Sequence, residues 1–258
     1  MIKECIIKRI DKDGWSSKTD FIAEEVQFTL FINKVEHLTF LCSPNDYSSL
    51  AIGYLVSEGI LRKKEDLLHL DFQELEYYLN ITLAPSIDMT QFSDRKKTLS
   101  SGCGKGNIYF KTLLEVNLLN HNQQLQLSSA TIFMLMHEFQ KKSELFKQTG
   151  GVHSVGLCSE SGILMYKEDI GRHNAVDKVL GACFEADLPL HDKALLLSGR
   201  MASEIVHKAA QSGIQILLSK SAPSSMAIEL AQKTGITLVG FIRGEKMNIY
   251  THDHRIRL

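Results

Sequence analysis

One cysteine of this chain lies in a setting suited to chemistry rather than to packing. Cys103 sits in the run Gly102-Cys103-Gly104-Lys105, whose glycines predict a polar loop. Buried cysteines, by contrast, usually lie among apolar neighbours. A nearby cation such as Lys105 favours the thiolate, which is the reactive form of a thiol. The spacing therefore predicts a nucleophilic or carrier thiol at Cys103.

The densest polar segment, Glu168–Lys178, follows a predicted strand and opens a predicted helix. Helix N-termini bind anions through free N–H groups and the helix dipole, so Arg172 and His173 at such an end would suit a phosphate. An ordinary capped helix with a salt-bridged first turn explains the same residues. This segment by itself leaves both interpretations open.

Two further strand-to-helix junctions have a similar composition. Gly199 and Arg200 stand in residues 198–204, and Ser219 and Ala222 stand in residues 218–225. In open α/β sheets, ligands bind beyond the carboxyl ends of the strands, where such loops gather. One shared anionic ligand explains three loops rich in Ser, Gly, Arg and Lys better than three unrelated caps do. We therefore predict a ligand with nucleotide-like or pterin-phosphate-like anionic groups.

Two other segments allow two interpretations each. His153 follows the pair Gly150-Gly151, and it could contact a ligand or be a histidine at the edge of the core. In the tail, residues 240–252, Phe241 and Arg243 could stack on a flat ring while cations hold phosphates. The alternative for the tail is an ordinary hairpin whose aromatic side chain belongs to the core.

The elements that must position these residues follow from hydrophobic periodicity. The C-terminal part alternates strands and helices, which predicts an α/β layer sandwich with a mixed sheet. The N-terminal part predicts a smaller α+β domain, and the polar run 120–124 predicts a boundary that gives domains 1–124 and 125–258. The predicted strands are 24–31, 38–42, 67–72, 75–83, 152–158, 162–166, 194–198, 214–219, 237–241 and 248–250, and the predicted helices are 47–58, 128–147, 174–184, 203–211 and 225–233.

Composition excludes several classes of protein. The chain has 258 residues and a formal net charge of −1, which argues against broad nucleic-acid binding. It contains no run of about 18 apolar residues that would span a membrane. Five scattered cysteines without a Cys-x-x-Cys pair predict reduced thiols in the cytoplasm. Zinc protease and zinc deaminase motifs are also missing from the sequence, so no metal site is expected.

Several motifs together resemble those of one family, the formate dehydrogenase accessory sulfurtransferases (FdhD). The similarity extends over nearly the whole chain, with the motifs in the same order. They are Leu50–Gly59, Glu168–Lys178, Ser198–Arg200, Ser221–Pro223 and Gly240–Thr251.

The resemblance implies a sulfur carrier. In that family a cysteine desulfurase loads a persulfide onto a loop cysteine, here Cys103. The sulfur then passes to the molybdenum cofactor, bis-molybdopterin guanine dinucleotide, before the cofactor enters formate dehydrogenase. The family also implies a homodimer and a cytidine-deaminase-like fold for the C-terminal domain. The cofactor-contacting residues expected on this basis are Phe241, Ile242, Arg243, Gly244, Glu245 and Lys246 of the tail, with Arg172, His173, Asn174, Asp177, Gly199, Arg200, Ser219 and Ala222 of the other loops.

The chain departs from the family pattern at one position. Many members carry Cys-Gly-x-Cys in the loop, whereas Gly106 stands at the second cysteine position here. Release of sulfur by an internal disulfide of this loop is therefore excluded, although one thiol suffices for a persulfide relay. Two alternatives stay open. One is a cofactor-binding chaperone without sulfur chemistry, and the other is a deaminase-like hydrolase, which rests on fold analogy alone.

Overall fold

A computed structural model describes residues 1–90 and 125–258 of the chain. Within these ranges, 14 strands and six α-helices follow one another along the chain. The strands are β1 (Ile2–Asp11), β2 (Gly14–Ala23), β3 (Val26–Ile32), β4 (Val35–Cys42), β5 (Leu67–Gln73), β6 (Tyr78–Leu83), β7 (Leu127–Ser128), β8 (His153–Ser159), β9 (Gly162–Asp169), β10 (Ala194–Leu197), β11 (Ile216–Ser219), β12 (Thr237–Arg243), β13 (Lys246–Thr251) and β14 (Ile256–Arg257). The helices are α1 (Tyr47–Ser57), α2 (Ser129–Lys142), α3 (Glu144–Thr149), α4 (Arg172–Glu185), α5 (Ser203–Gln211) and α6 (Ser225–Thr234).

The C-terminal half is built on a six-stranded mixed sheet in the order β13-β12-β11-β10-β8-β9. Strands β10, β11 and β12 are parallel to one another, and the remaining pairs are antiparallel. Side chains alternate between the faces of a strand, so Leu195 and Leu197 pack with α4, α5 and α6, while Ala194 and Leu196 pack with α2. Helices therefore cover both faces, as the alternating pattern predicts.

The N-terminal half contains a four-stranded sheet in the order β4-β3-β6-β5. Its buried face carries apolar residues such as Phe28, Leu30 and Leu79, which pack against Leu50 and Leu55 of α1. The other side of α1 faces α4 of the C-terminal half, so the two sheets enclose a central pair of helices. This arrangement makes α4 the element that joins the two halves.

The helices α1 and α4 approach each other so closely that their contact residues have no room for a side chain. A Cβ atom at Gly53 would lie 1.7 Å from the carbonyl oxygen of Asp177. A Cβ atom at Gly181 would lie 1.9 Å from the carbonyl oxygen of Ser49. Glycine is therefore required at both positions, because only hydrogen leaves space for backbone against backbone.

The structure differs from the sequence-based expectations in a few elements. The hairpin of β1 and β2 was not predicted, and the predicted helix 128–147 is interrupted at Ser143, whose φ of −77° and ψ of 79° leave the helical region. The predicted strand 75–83 begins only at Tyr78, after a short 3₁₀ turn over Glu74–Glu76.

Over the described ranges, no helix combines the length and the hydropathy needed to cross a membrane. The expected likeness of the C-terminal half to cytidine deaminase stays a prediction.

Candidate functional site

The candidate site lies at one edge of the six-stranded sheet. His153 begins β8 and is paired with Asp169, which ends β9. Leu197 ends β10 and is paired with Ser219, which ends β11. The β9–α4, β10–α5 and β11–α6 connections, together with the β12–β13 turn, therefore leave the sheet at the same edge. The three predicted loops are brought together because β9, β10 and β11 run in the same direction and therefore end at the same edge of the sheet, with β8 between β9 and β10.

Hydrogen bonds join these loops to one another. Ser198 Oγ accepts from the backbone N–H of Ser154 at 2.9 Å, and Ser219 Oγ donates to the carbonyl of Gly199 at 2.8 Å. The N–H of Ser221 in turn donates to Ser219 Oγ at 3.0 Å, and the N–H of Phe241 donates to the carbonyl of Ser221 at 3.1 Å. These bonds fix the positions of the β10–α5, β11–α6 and β12–β13 connections relative to one another.

Two of the predicted site residues act within this framework. Ser219 is fully buried, and its hydroxyl is used by neighbouring loops. Ala222 is half-buried, and its carbonyl accepts from the N–H of Met201 at 3.0 Å. Both residues therefore position the loops through internal bonds, and their contact with a ligand stays a prediction.

Four basic side chains converge at this edge; we call His153, Arg172, His173 and Arg200 the cationic cluster. A Cβ atom at Gly199 would lie 3.1 Å from His153 Nδ1 and 3.8 Å from Arg172 Cβ, so the β10–α5 loop meets the start of α4 there. Burial lowers the pKa of His153, and the positive charges of Arg172, His173 and Arg200 lower it further. The cluster therefore favours a neutral His153 unless an anion compensates the charge.

The start of α4 adds donors to the cluster. Gly171 caps the helix without a side-chain hydrogen bond, so the first-turn N–H groups and the helix dipole are directed outward. Arg172 Nε is buried and has no hydrogen-bond partner among the described residues. His173 Nε2 lies 3.0 Å from Glu204 Oε2. A helix start without a side-chain cap, an unpaired guanidinium nitrogen and several cations together fit phosphate oxygens.

The opposite side of α4 faces the N-terminal half. From Asn174, steps of three or four residues lead to Asp177 and Lys178 and then to Gly181, so these residues lie on one helix face. Asn174 Nδ2 donates to Asp169 Oδ1 at 2.9 Å and to the carbonyl of Leu41 at 2.8 Å. The predicted site residue Asn174 thus connects α4 to β9 and β4.

Asp177 lies deeper in the same interface and is only 1% exposed. Its carboxylate pairs with Lys208 Nζ of α5 at 2.8 Å and accepts from Ser57 Oγ of α1, also at 2.8 Å. One carboxylate therefore joins three helices. Because these partners are internal, Asp177 is placed to position α4, and its contact with a cofactor stays a prediction.

The predicted tail segment comprises the end of β12, the two-residue turn Gly244-Glu245 and the start of β13, and we call it the tail turn. Phe241 has a φ of 52°, a left-handed conformation that is strained for an aromatic residue, and it is 38% exposed. The Arg243 guanidinium lies 5.6 Å from the centre of the Phe241 ring, within cation–π range. Ile242 is buried in the core, whereas Arg243, Gly244, Glu245 and Lys246 are exposed.

The exposed Phe241 bears on the two interpretations of the tail. A core aromatic would be buried, but here the core position of the turn is filled by Ile242. Strained backbone conformations persist where surrounding bonds hold them and are concentrated at functional sites. The turn therefore presents an aromatic face and a guanidinium to solvent.

Cys103 lies in residues 91–124, outside the described residues, and its predicted role is considered below. Of the described cysteines, Cys42, Cys158 and Cys183 are buried, and Cys5 is exposed on β1. Burial raises the pKa of the buried thiols Cys158 and Cys183 to about 12. Burial, followed by the charge of Asp169, raises the pKa of Cys42 to about 12 as well. These three thiols are therefore unreactive at neutral pH.

Sequence reasoning missed the residues that support the site from other elements. Glu204 contacts His173, Lys208 pairs with Asp177, and Ser43 of the β4–α1 connection bonds Asp169. Glu204 and Lys208 lie one helical turn apart on α5, a common pattern that carries no functional signal by itself. Ser43 lies 126 residues from Asp169 in the chain, so only the folded structure relates them.

Comparison with known proteins agrees with this architecture. The model of the FdhD/NarQ family matches residues 23–257. The chain is 38% identical over 255 residues to the sulfur carrier protein FdhD of Bacillus pumilus, covering 98% of this chain and 97% of the relative. It is 34% identical over 249 residues to the protein of the same name from Bacillus subtilis, covering 96% and 95%.

A solved structure extends the comparison to the fold. The crystal structure of a candidate formate dehydrogenase accessory protein from Desulfotalea psychrophila is 26% identical and superposes with a TM-score of 0.80. The match covers 99% of this chain and 98% of that chain. On the family match and these full-length similarities, the chain belongs to the FdhD/NarQ family.

Proposed function

We propose that this protein is a sulfur carrier that serves formate dehydrogenase. In this proposal Cys103 receives sulfur from a cysteine desulfurase and passes it to the molybdenum cofactor before the cofactor is inserted into the enzyme. The names of the relatives, sulfur carrier proteins and a formate dehydrogenase accessory protein, support the general role. The observation that carries the cofactor assignment is the cationic cluster at the edge of the sheet.

The cluster fits the phosphates of a guanine dinucleotide. Arg172 and Arg200 would supply permanent charge, and the start of α4 would supply N–H donors. The unpaired Arg172 Nε offers a buried donor to a phosphate oxygen. Gly199 lets the β10–α5 loop lie close against the His153 ring, because a side chain at this position would contact that ring.

The tail turn would complete the binding site. Phe241 is exposed and offers a ring face of the kind on which a flat pterin or guanine stacks. Arg243 lies beside that ring and could pair with a phosphate or a carbonyl oxygen. The proposal therefore assigns cofactor contact to Phe241, Arg243 and the cationic cluster, with Ser219, Asn174 and Asp177 as positioning residues.

Cys103 is the best candidate for the carrier thiol. Three of the four described cysteines are buried and have a raised thiol pKa. The fourth, Cys5, is exposed on a β-strand, whereas Cys103 stands between two glycines and close to Lys105 in the sequence. A persulfide relay needs a thiol that can reach two partners in turn, which a glycine-rich loop permits.

The transfer balances with one thiol. The Cys103 thiolate attacks the terminal sulfur of the desulfurase persulfide, the sulfur–sulfur bond breaks, and the desulfurase cysteine leaves as a thiolate. The acceptor then attacks the terminal sulfur of the Cys103 persulfide and supplies the electron pair of the new bond. Cys103 leaves as a thiolate, so no second cysteine is required at the position of Gly106.

The deciding experiment is mass spectrometry of the full-length protein after incubation with a cysteine desulfurase and cysteine. We expect a gain of about one sulfur mass that is reversed by reductant, as is usual for a persulfide. Peptide mapping should place the added sulfur on Cys103. The Cys103→Ser variant should lose the modification, whereas the matched Cys5→Ser variant should keep it.

Other outcomes are equally informative. Transfer that survives in Cys103→Ser and disappears in Cys5→Ser would move the carrier role to β1. An unmodified protein, with the desulfurase shown to be competent on another acceptor, would reject sulfur transfer. That result would favour a chaperone that binds the cofactor at the cationic cluster without sulfur chemistry.

A further inference from the structure

A buried carboxylate lies against the cationic cluster, where the proposed ligand would bring its anionic groups. Glu204, in the first turn of α5, is only 6% exposed. Its Oε2 atom lies 3.0 Å from Nε2 of His173 at the start of α4. A carboxylate repels phosphate oxygens, so Glu204 has the wrong charge for a residue that binds them. Its place in the cluster therefore indicates a different role.

The contact between Glu204 and His173 is close but is not an aligned hydrogen bond. Glu204 Oε2 and His173 Nε2 are both buried, and neither has a hydrogen-bond partner among the described residues. Nε of the neighbouring Arg172 is also buried without such a partner. Buried polar atoms nearly always have partners. An unpaired acceptor beside two unpaired donors therefore marks a place where the partners change when a ligand binds.

Other charges near Glu204 and the cluster have partners of their own. Lys208, one turn further along α5, lies 2.8 Å from Asp177 Oδ1 and 2.9 Å from Asp177 Oδ2. Asp169, whose charge opposes the cations around His153, is paired with Lys178. Glu204 therefore has the cationic cluster itself, through His173, as its counter-charge.

We propose that Glu204 is an internal counter-ion of the cationic cluster, which occupies His173 in the free protein and competes with the anionic group of a bound ligand. In the free protein its negative charge offsets the mutual repulsion of the cations. When a phosphate reaches the cluster, Glu204 becomes a like charge beside it and lowers its affinity. This inference rests on the proposed anion site and not on sulfur transfer.

An internal counter-ion suits a protein that must pass its ligand on. Changes at one binding site act mainly on the rate at which the complex dissociates, because the rate of association varies much less. The charge of Glu204 therefore shortens the time for which an anion stays bound. The cations supply the affinity, and the carboxylate keeps the binding reversible.

Isothermal titration of the full-length protein with inorganic pyrophosphate tests the role of the charge. Glu204→Gln keeps the shape of the side chain and removes its charge, so it should bind pyrophosphate about tenfold tighter than the wild type. Glu204→Asp keeps the charge and should bind like the wild type. Arg200→Ala should weaken binding both in the wild type and in Glu204→Gln, because the cluster holds the anion in both.

The matched control is Glu144→Gln, which also removes a carboxylate from the first turn of a helix, here α3. Glu144 pairs with Lys147 at the surface of the protein. Its substitution should leave the affinity for pyrophosphate unchanged. A general effect of net charge on affinity would instead appear in both glutamine variants.

Thermal unfolding supplies a second readout, in which a purely structural role gives a different result. Without ligand, Glu204→Gln should unfold at a lower temperature than the wild type, because the cations lose their counter-charge. Pyrophosphate should then raise the unfolding temperature of Glu204→Gln by more than that of the wild type, since stabilisation by a ligand grows with its affinity. A residue that only supported the fold would lower the unfolding temperature and leave the increase caused by the ligand unchanged.

The remaining outcomes separate this inference from the anion site on which it rests. Pyrophosphate binding that depends on Arg200 but is equal or weaker in Glu204→Gln overturns the inference and leaves the anion site in place. A Glu204→Asp variant that binds as tightly as Glu204→Gln does the same. Absence of binding from both the wild type and Glu204→Gln rejects the anion site together with the inference.

Discussion

Lys178 and Asp169 form an ion pair in which neither side chain is accessible to solvent, with Lys178 Nζ 2.6 Å from Asp169 Oδ2. Asp169 also accepts from the backbone N–H groups of Ser43 at 3.0 Å and Gly171 at 2.8 Å. The pair therefore ties the end of β9, the start of α4 and the N-terminal half together. Arg172 and His173, which follow Gly171, are placed at the sheet edge by this buried contact.

Replacing Lys178 by methionine should destabilise the protein strongly. Lys178→Met keeps a similar volume but leaves the Asp169 carboxylate buried without its counter-charge. Breaking a buried pair in this way typically costs about 3–5 kcal/mol of unfolding free energy. Denaturant unfolding followed by circular dichroism would measure the loss.

The matched control for this substitution is Lys141→Met on α2, where the lysine is exposed. Surface substitutions usually change stability by less than about 0.5 kcal/mol. Equal stability of Lys178→Met and the wild type would show that the pair does not carry the contact between the halves.

Adding one methyl group at Gly181 should separate or unfold the halves. In Gly181→Ala the new Cβ would lie 1.9 Å from the carbonyl oxygen of Ser49, so α1 and α4 must move apart. Overpacking of this kind costs about 1–3 kcal/mol or more. Gly150→Ala is the comparison, because the new Cβ atom would meet no atom within 4 Å. The φ of +64° at this position is unfavourable for alanine and should cost about 1 kcal/mol of unfolding free energy. Thermal unfolding that ranks Gly150→Ala as the worse variant would contradict this packing.

The titration of His153 should report the charge of the cationic cluster. Its pKa in the folded protein is lowered from the usual 6.5, first by burial and then by Arg172. Arg200→Ala should raise this pKa, and so should inorganic phosphate or GDP bound at the cluster. NMR of the imidazole signals against pH measures both shifts. Arg62→Ala, an exposed arginine on the N-terminal half, should leave the pKa unchanged.

The lowered pKa of His153 also predicts the direction in which pH changes the stability of the fold. Because the folded state binds a proton at His153 less readily than the unfolded chain, stability falls as pH drops from 6.5 toward the folded pKa. Above pH 6.5 His153 is neutral in both the folded and the unfolded state, so its titration no longer reduces the stability of the fold. A pKa of His153 at or above 6.5 in the unliganded protein would contradict the arrangement.

The cysteines should differ sharply in reactivity. With iodoacetamide at pH 8 we expect labelling of the exposed Cys5 in the native protein. Cys42, Cys158 and Cys183 should stay unlabelled, because burial raises the pKa of each thiol to about 12. All three should react in denaturant, as peptide mass spectrometry would show. Native labelling of Cys158 would mean that the sheet opens far more readily than its burial indicates.

Much of the C-terminal fold could be predicted from local patterns. Short apolar runs such as 194–198 and 214–219, separated by amphipathic segments that end at Gly213 and Gly235, indicate alternating strands and helices. The two-residue turn Lys12-Asp13 of the β1–β2 hairpin is followed by Gly14, but the mixed charges of the two strands hid the alternation of apolar and polar residues. The break at Ser143 could not be predicted, because its hydroxyl donates to Glu168, 25 residues away.

The sequence by itself determined which residue types are available to the site: the Cys103 loop, the three Ser-, Gly- and Arg-rich junctions, and the resemblance to one family. Only the tertiary structure separated the residues of Glu168–Lys178 by their roles. Helical geometry directs Arg172 and His173 to the sheet edge, whereas Asn174, Asp177 and Lys178 face the N-terminal half. A linear motif cannot show this division, because the partners that decide it come from distant segments of the chain. They are the backbone donor Ser43, the glycine contact at Gly53 and the counter-charge of Lys208.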